Sequence, residues 1–477
     1  MPPLSRPKRV LNGVRDVLRP RLGVDPRALA ALRIALGLLV LADLALRAPD
    51  LVAFYTDAGV LPRELLFEIY PTVGRLSLYA LSGSVWWAAG LFVLTGLAAL
   101  ALVAGYRCRA AALVLFVLLV SLHTRNLAVL NAGDSLLRRL LLWGVLLPLG
   151  TRWSLDAAPD ATAEERVVSV ATAGLLVQVL AVYLVNAVLK LRGSAWRSGE
   201  AVRLVFGVDA LTVGLGDLLA GFPLLLQLGA HAWLALLVAS PLLLLTTGRA
   251  RTALVAALAG GHLFMLATLR LGVFPLVSVA GLLPFLPSAV WDWVEARTGR
   301  LATRARSEKS RLPHPNSLPP DGVRRVARTV AVVLLAFVLV WNAAGVGVVD
   351  LSTGGTLDPE ERRWDMFAPE PLSTDGWYVP VGTTADGDRV DALRGGDPVF
   401  NPTDPSDTYP SHRWYVYLTD LRRGDQLQEG FAAYLCARWE RTHERRLDSV
   451  TVVLVTQEVR LDAPDRTQRR TVASREC

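Results

Sequence analysis

The stretch Ala28–Leu46, ALAALRIALGLLVLADLAL, decides the fold class of this chain. It is long enough to cross the hydrocarbon core of a bilayer as one helix, which takes about 20 apolar residues. Residues 1–27 before it carry seven basic and two acidic side chains, and no small-residue cleavage site follows it. We therefore interpret the stretch as a retained first membrane span and not as a signal peptide.

The rest of the chain has the same character. Of its 477 residues 52% are apolar and 19% are charged, with a mean hydropathy of +0.39. A soluble globular domain has about 25% charged residues, so an ordinary cytosolic enzyme is excluded, as is a disordered chain. Eight further apolar segments follow, at 84–105, 109–122, 135–150, 166–190, 222–247, 252–270, 272–288 and 329–349. We predict an all-α polytopic membrane bundle of about nine spans, or eight if 252–288 is one broken span.

Charge divides the chain into two parts. The net charge is +8, yet residues 351–477 hold 22 acidic and 16 basic side chains, so the basic surplus lies before residue 351. With the N-terminus in the cytoplasm, the inner loops are 106–109, 151–166, 248–251 and 297–328, and they follow the positive-inside rule. The predicted location is a multi-pass protein of the cell membrane. Its expected partner is the lipid bilayer, and no nucleic acid is expected.

The domain plan follows from this topology. Residues 1–27 form a cytoplasmic basic N-terminus, and residues 28–349 form the membrane domain, with 297–328 as a cytoplasmic loop rich in arginine and proline. Residues 351–477 form a small extracytoplasmic α+β domain. In that domain GWYVPVGTTADGDRVDAL predicts a hairpin turning at Asp386-Gly387, RWYVYLTDL and SVTVVLVTQEVRL predict strands, and FAAYLCARWERTH predicts an amphipathic helix.

Polar residues concentrate at the predicted outer ends of the spans. Ionisable groups are costly in hydrocarbon, so those that persist are candidates for function. They fall on four segments and point to one outward-facing site: Asp43; Ser121–Asn126 with His123 and Asn126; Asn131–Asp134; and Lys190.

Each of these residues also has a structural interpretation. Lys190 could extend its amine to the interface, and His123 could be a satisfied histidine at a helix end. Asn131 and Asp134 could cap the following helix, and Asp43 could pair with Arg47 one turn on. His231 and His262 are isolated in apolar runs, which favours packing. Residues Asp386, Asp388 and Asp391 suggest a calcium loop but lack the glycine and glutamate of an EF-hand, so a plain hairpin is favoured and no metal site is predicted.

The three cysteines exclude a CxxC metal site. Cys436 and Cys477 both lie in the predicted outer domain, whereas Cys108 lies on the cytoplasmic side. An oxidising exterior permits a disulfide between Cys436 and Cys477, which would join the C-terminal strand to the amphipathic helix.

Four strings of the chain resemble a known family, the HTTM domain, which is the bacterial and archaeal relative of vitamin K-dependent gamma-glutamyl carboxylase. The strings are LRIALGLLVLADLALRAPDLVAFYTDAGVLP, SLHTRNLAVLNAGDSLLRRLLLWGVLLPLG, VYLVNAVLKLRGSAWRSGEAV and RRWDMFAPEPLSTDGWYV. Together they extend the resemblance over roughly residues 20–477.

The resemblance implies a chemistry. In such carboxylases a lysine at the outer end of a span deprotonates a reduced quinone of the vitamin K type. Oxygen converts the quinol to an epoxide, and the strong base so formed removes the γ-proton of a peptide glutamate, which then captures CO2. The matching lysine here is Lys190, in the pattern Tyr183-x6-Lys190 followed by Trp196. The cofactor implied is a reduced, menaquinone-like quinone without a metal, and the partner is a peptide or protein substrate outside the cytoplasm.

Lysine suits this role because it can release its proton from an apolar pocket, whereas arginine stays protonated in proteins. Of the 50 basic residues only Lys8, Lys190 and Lys309 are lysines, and Lys190 alone lies at an apolar span end. The chain departs from the carboxylases where their assisting histidine follows the third span, since Asp134 and the earlier His123 are the groups present there. The alternative function is a membrane scaffold or receptor whose outer domain binds a partner through RWDMFAP and DGWYV, and a transporter is the weaker third class.

Overall fold

The structure is a computed structural model, and it describes residues 18–157, 166–306, 321–351, 358–360 and 363–477. The apolar stretch that opens the sequence becomes helix α1, Pro26–Arg47. The Asp25 side chain accepts a hydrogen bond from the Arg27 backbone N–H and Pro26 occupies the first turn, so a cap and a preset φ begin the helix. A short helical continuation takes this apolar segment to Tyr55.

Helices make up the rest of the membrane domain. After α1 they are α2 Leu51–Tyr55, α3 Arg63–Ile69, α4 Val85–Ala104, α5 Cys108–Arg125, α6 Ala132–Leu146, α7 Val170–Arg192, α8 Ser194–Ser198, α9 Ala201–Phe206, α10 Leu215–Ala220, α11 Pro223–Val238, α12 Leu242–Leu245, α13 Gly248–Thr268, α14 Phe274–Leu282, α15 Ser288–Arg306 and α16 Asp321–Gly345.

Six of these segments are long and apolar enough to cross a membrane within the described ranges. They are Pro26–Tyr55, Val85–Ala104, Cys108–Arg125, Val170–Arg192, Gly248–Thr268 and Asp321–Gly345. A seventh is possible if Phe274–Phe285 and Ser288–Arg297, bent by 107°, count as one span. The segments 135–150, 222–247 and 272–288 fold as shorter or broken helices, so the count of nine passes stays a prediction. The protein is a multi-helix membrane protein, as predicted.

The segments predicted as inner loops meet at one end of the bundle. The Arg251 guanidinium donates to the Arg21 carbonyl, and Arg33 donates to the carbonyls of Leu102 and Trp153. Arg27 forms ion pairs with Asp292 and Glu295 at 2.7 and 3.0 Å. Loops that are far apart in sequence therefore meet at this end of the bundle. The candidate site residues lie toward the opposite ends of the helices that carry them.

A four-stranded antiparallel sheet follows the bundle. Its strands are β1 Thr374–Thr384, β2 Arg389–Asp391, β3 Leu447–Glu458 and β4 Arg466–Glu476, in the order β2-β1-β3-β4. The predicted hairpin is β1-β2, with Gly387 at φ 83°, a backbone conformation that glycine adopts readily. Two helices accompany the sheet, α17 His412–Asp420 and α18 Asp425–Thr442. The α18 helix is the predicted amphipathic helix.

One prediction for this region is wrong. The segment RWYVYLTDL, expected as a strand for its aromatic and β-branched residues, folds as α17. The Ser411 side chain accepts from the Trp414 backbone N–H and caps the helix. The buried residues Arg413, Trp414, Tyr417 and Leu418 recur with helical spacing, so packing against the bundle overrides strand propensity.

The structure also bears on the predicted disulfide and on the predicted loop 297–328. Cys436 on α18 and Cys477 after β4 form a disulfide, while Cys108 is buried and free. The predicted loop 297–328 is partly helical, because α15 continues to Arg306 and α16 begins at Asp321. Residues 307–320, with most of its proline-rich stretch, lie outside the described residues.

Candidate functional site

Helix α7 carries a polar stripe along one side. Tyr183, Asn186 and Lys190 follow one another at intervals of three and four residues, the spacing that aligns side chains on one face of a helix. All three are buried, and all three line one large cavity. The stripe therefore brings hydroxyl, amide and amine groups to a single cavity wall.

Lys190 lies at the C-terminal end of this stripe. Its side chain is 2% exposed, and its Nζ donates to the carbonyl oxygens of Met366 and Phe367 at 2.9 and 3.1 Å. The Nζ also lies 3.5 Å from the centre of the Trp196 ring, and the Trp196 indole N–H donates to the Phe367 carbonyl at 2.7 Å. Two carbonyls and one aromatic face thus fix the position of the amine.

The segment that receives these bonds is part of the RWDMFAP motif. Asn186 donates to the carbonyls of Trp364 and Met366, both at 3.2 Å, so two residues of α7, Asn186 and Lys190, bind this segment. Phe367 has a φ of 55°, which is strained for a residue with a side chain. The motif therefore docks the chain after the bundle onto α7, and Trp377 of the second motif, DGWYV, is buried in β1.

The cavity has a volume of about 1150 Å³. This is slightly above the range of about 300–1,000 Å³ typical of small-molecule sites. Most of its lining side chains are apolar, and the polar exceptions include the α7 stripe, Asn131 and His412, together with the charged residues Arg138, Arg139, Arg270, Arg363, Asp365 and Asp420. A ligand with a large apolar body and a few oxygen atoms matches this lining.

One side of the cavity reaches the apolar outer surface between α11 and α13. Leu225 and Phe264 both line it and are 54% and 48% exposed. Gly229 and Gly260 line the same gap, and neither would meet another atom within 4 Å if it carried a Cβ. Because these glycines leave the gap unfilled, the cavity opens onto this apolar surface of the protein.

A second polar group lies nearby but does not line the cavity. Asp43 and Asp134 are buried with Arg47 and Arg413, which we call the ion-pair cluster. Arg413 donates to Asp43 at 2.6 Å and to Asp134 at 2.7 and 2.9 Å, and Arg47 donates to Asp43 at 2.7 Å and to Asp134. Two carboxylates and two guanidinium groups make the four-residue cluster formally neutral.

His123 lies beside the cluster. Its Nε2 is 3.6 Å from an Asp134 oxygen, too long for a hydrogen bond, and neither ring nitrogen has a hydrogen-bond partner among the described residues. One atom each of Asp43, His123 and Asp134 lie within 4.8 Å of one another, as ligands of a metal ion would. The two arginines already neutralise both carboxylates, so these residues are better suited to ion pairing than to metal binding.

Asn131 connects the two groups. Its Oδ1 accepts from the backbone N–H groups of Gly133 and Asp134 and caps α6, and Asp134 accepts in return from the Asn131 N–H. Its Nδ2 lies 3.1 Å from the His412 Nε2. Burial lowers the pKa of His412 to about 3, so the ring is neutral, and its Nε2 accepts this hydrogen bond because the Asn131 amide nitrogen can only donate.

The structure thus divides the predicted site residues. Lys190, Tyr183, Trp196 and Asn131 line the cavity. The remaining residues named as candidates do not: Asp43, His123, Asn126 and Asp134. Asn126 is buried and caps a short turn, accepting from the Ala128 N–H at 3.1 Å. The sequence predicted a single shared site, whereas the structure places these residues in two adjacent groups, one in the cavity wall and one in or near the ion-pair cluster.

Sequence reasoning also missed important residues. Asn186 could have been found from its helical spacing between Tyr183 and Lys190. His262 lines the cavity and lies 3.1 Å from the Tyr183 hydroxyl, although its apolar context had favoured simple packing. Arg413 had no signal at all, because it lies in the segment predicted as a strand.

Comparison with protein families places this fold. The family model described as the HTTM domain matches residues 22–293, more than half of the chain. The chain therefore belongs to the HTTM domain family, as its sequence strings suggested. No curated protein and no solved structure matches it.

Proposed function

We propose that this protein is a carboxylase-like membrane enzyme in which Lys190 is the base and a reduced quinone is the lipid-soluble partner. The observation that carries the proposal is the burial of Lys190 in the wall of a large, mainly apolar cavity. Membership of the HTTM domain family and the relation of that domain to the vitamin K-dependent carboxylases support it.

The residues present fit a quinone. The cavity volume is large enough for a fused ring, its aromatic and aliphatic lining suits an isoprenoid chain, and its gap between α11 and α13 opens onto an apolar surface. A bound quinol would supply, on oxidation by oxygen, a base strong enough to remove a proton from the carbon next to a glutamyl carboxylate.

Lys190 can take up a proton because of how its amine is held. The two carbonyls of Met366 and Phe367 use two N–H bonds, so the remaining position on Nζ carries either a proton or the lone pair. Trp196 lies against this nitrogen and limits its movement. The proposal gives Asp134 an indirect role, because Asp134 and Asn131 together cap α6 at the cavity wall. His123 lies beside Asp134 and has no direct role in the proposal.

The experiment is quinol-dependent oxygen consumption by membranes that contain the protein. We expect Lys190→Ala and Lys190→Arg to lose the activity, since neither side chain can accept a proton at that place. Arg192→Ala is the matched control, because Arg192 ends the same helix but is exposed and donates to the Val346 carbonyl. Full activity in both Lys190 variants would remove Lys190 as the base.

The proposal includes a topology of nine passes, an N-terminus in the cytoplasm and an outer domain outside. The distribution of arginines and the meeting of the predicted inner loops at one end support it. A thiol reagent that cannot cross membranes tests it on intact cells. Cysteine placed at exposed Asp397 should react at once, and cysteine placed at exposed Arg109 should react only after permeabilisation. The reverse pattern would invert the topology.

The scaffold alternative is less well supported. Both motifs that suggested an outward binding surface, RWDMFAP and DGWYV, have their central residues docked or buried. If the protein is nevertheless a receptor, a partner should be retained on the full-length protein from cell extracts, and the Lys190 variants should leave that partner bound.

A further inference from the structure

The cavity wall contains a histidine–tyrosine pair with no part in the Lys190 chemistry. Tyr183 on α7 and His262 on α13 both line the cavity, are 3% and 2% exposed, and their Oη and Nε2 atoms lie 3.1 Å apart. The pair joins helices α7 and α13 in the cavity wall. Polar groups at such depth are rare unless they have a task.

Aromatic side chains fix the His262 ring. Trp233 and Phe274 meet it edge to face, with ring centroids 5.3 and 5.7 Å away, and Tyr183 lies at 5.8 Å. The Nδ1 atom of His262 is buried and has no hydrogen-bond partner among the described residues. The Tyr183 hydroxyl is therefore the polar contact that this ring makes.

This isolation of Nδ1 decides where the proton of a neutral ring belongs. With the proton on Nδ1, a buried N–H donor would lack an acceptor, and such orphaned donors are rarer in proteins than unsatisfied acceptors. With the proton on Nε2, the ring donates to the Tyr183 oxygen, and the unpaired Nδ1 is only an acceptor. The second arrangement is the less costly one.

We propose that His262 orients Tyr183 so that the Tyr183 hydroxyl donates a hydrogen bond to an oxygen atom of the cavity ligand. When the Tyr183 oxygen accepts from His262, its own O–H remains free to donate into the cavity. Tyr183 lies seven residues before Lys190 on α7, or roughly 10 Å along the axis. The proposal rests on the proposed function in taking the ligand to be a quinone, with its oxygen atoms as acceptors.

Binding of menadione, a naphthoquinone without an isoprenoid tail, to the purified full-length protein tests this proposal through quenching of tryptophan fluorescence. Tyr183→Phe removes the hydroxyl alone and should weaken binding about tenfold, the effect of one hydrogen bond. Methylnaphthalene, the same ring system without oxygens, should bind both proteins equally. An equal loss for both compounds would mean a packing defect and would overturn the proposal.

Variants of His262 test its positioning role. His262→Gln places an amide donor where Nε2 was and should retain most of the affinity, whereas His262→Phe keeps the packing but removes the donor and should lose several-fold. In the His262→Phe background, Tyr183→Phe should cost less than in the wild type. Additive losses would mean that the two residues act independently.

Nitrogen NMR of histidine-labelled protein gives a readout that needs no ligand. The signal missing in His262→Gln identifies the residue, and its shifts should show the proton on Nε2. A proton on Nδ1 would overturn the proposal whatever the binding data show. If the wild type bound no menadione at all, the quinone proposal would fail, and this NMR result would still decide the orientation of Tyr183.

Discussion

The cavity and the ion-pair cluster are neighbouring polar regions of one protein, yet their charged groups have different kinds of partner. In the cluster, each carboxylate of Asp43 and Asp134 meets guanidinium groups of Arg47 and Arg413. In the cavity, the Lys190 amine meets backbone carbonyls and an aromatic ring beside an open volume. Charges that satisfy one another hold elements together, whereas polar groups beside a void are available to a ligand.

Removal of Arg413 should have the largest effect on stability. Arg413→Met leaves Asp43 and Asp134 with one guanidinium between them, and breaking a buried ion pair costs about 3–5 kcal/mol. Thermal unfolding in detergent, followed by the reaction of the buried Cys108 thiol with a dye, measures the loss.

Two further variants interpret that result. Arg389→Met removes an exposed arginine of the same domain and should leave unfolding unchanged. Arg413→Met combined with Asp134→Asn restores neutrality and should recover part of the loss. If Arg413→Met unfolded like the wild type, the cluster would not be the link between α17 and the bundle.

Removal of the disulfide should destabilise the C-terminal domain, residues 363–477, without changing a residue of either polar region. The bond closes a separation of 41 residues, so replacing both Cys436 and Cys477 by serine should cost about 2–4 kcal/mol. We expect this variant to keep the menadione affinity of the wild type. A parallel loss of binding would show that the cavity depends on the C-terminal domain as a whole. Mass mapping under non-reducing conditions gives the pairing itself.

Removal of the Lys190 amine should have a smaller effect on stability. Lys190→Met loses two hydrogen bonds to carbonyls but keeps the apolar stem, so we expect a loss of about 1 kcal/mol. Activity should nevertheless disappear. The same unfolding assay, run beside Arg413→Met, makes the comparison, and a loss as large as that of Arg413→Met would make Lys190 a structural residue.

The smallest effect is a pH dependence outside both regions. Burial raises the pKa of Asp375 in β1, whose carboxylate accepts from the Ala210 and Gly376 N–H groups. A raised pKa means that the folded state holds this proton more tightly than the unfolded chain. The contribution of Asp375 to stability is therefore present below about pH 3.9, the usual pKa of aspartate, and is lost as the pH rises through the folded pKa.

Asp375→Asn removes this titration. Unfolding curves across the acidic range should show that the wild type, relative to the variant, loses stability as the pH rises from about 4, and that the difference then stays constant. A difference between the two proteins that does not change with pH would contradict the raised pKa.

Much of the site was visible in the sequence because local spacing carries it. The α7 stripe with Tyr183 and Lys190, the N-cap at Asn131 and the disulfide partners all depend on neighbours in the chain or on a shared compartment. The sequence placed His123 and Asp134 in the same site as Lys190, because they share a predicted membrane side. The structure separates them, since Arg413 occupies the carboxylates of Asp43 and Asp134.

Hydropathy and periodicity are local properties, so they were enough to predict a membrane protein with a small mixed domain after the bundle, and four strings of residues carried the resemblance to the HTTM domain family. Three features became apparent only in the folded molecule: residues 412–420 form a helix, His262 contacts Tyr183, and Arg413 completes the ion-pair cluster. Asp43 and Arg413 are 370 positions apart, and no pattern along the chain links them. Buried charges must find partners wherever the fold brings them, so their pairing is a property of the packed molecule.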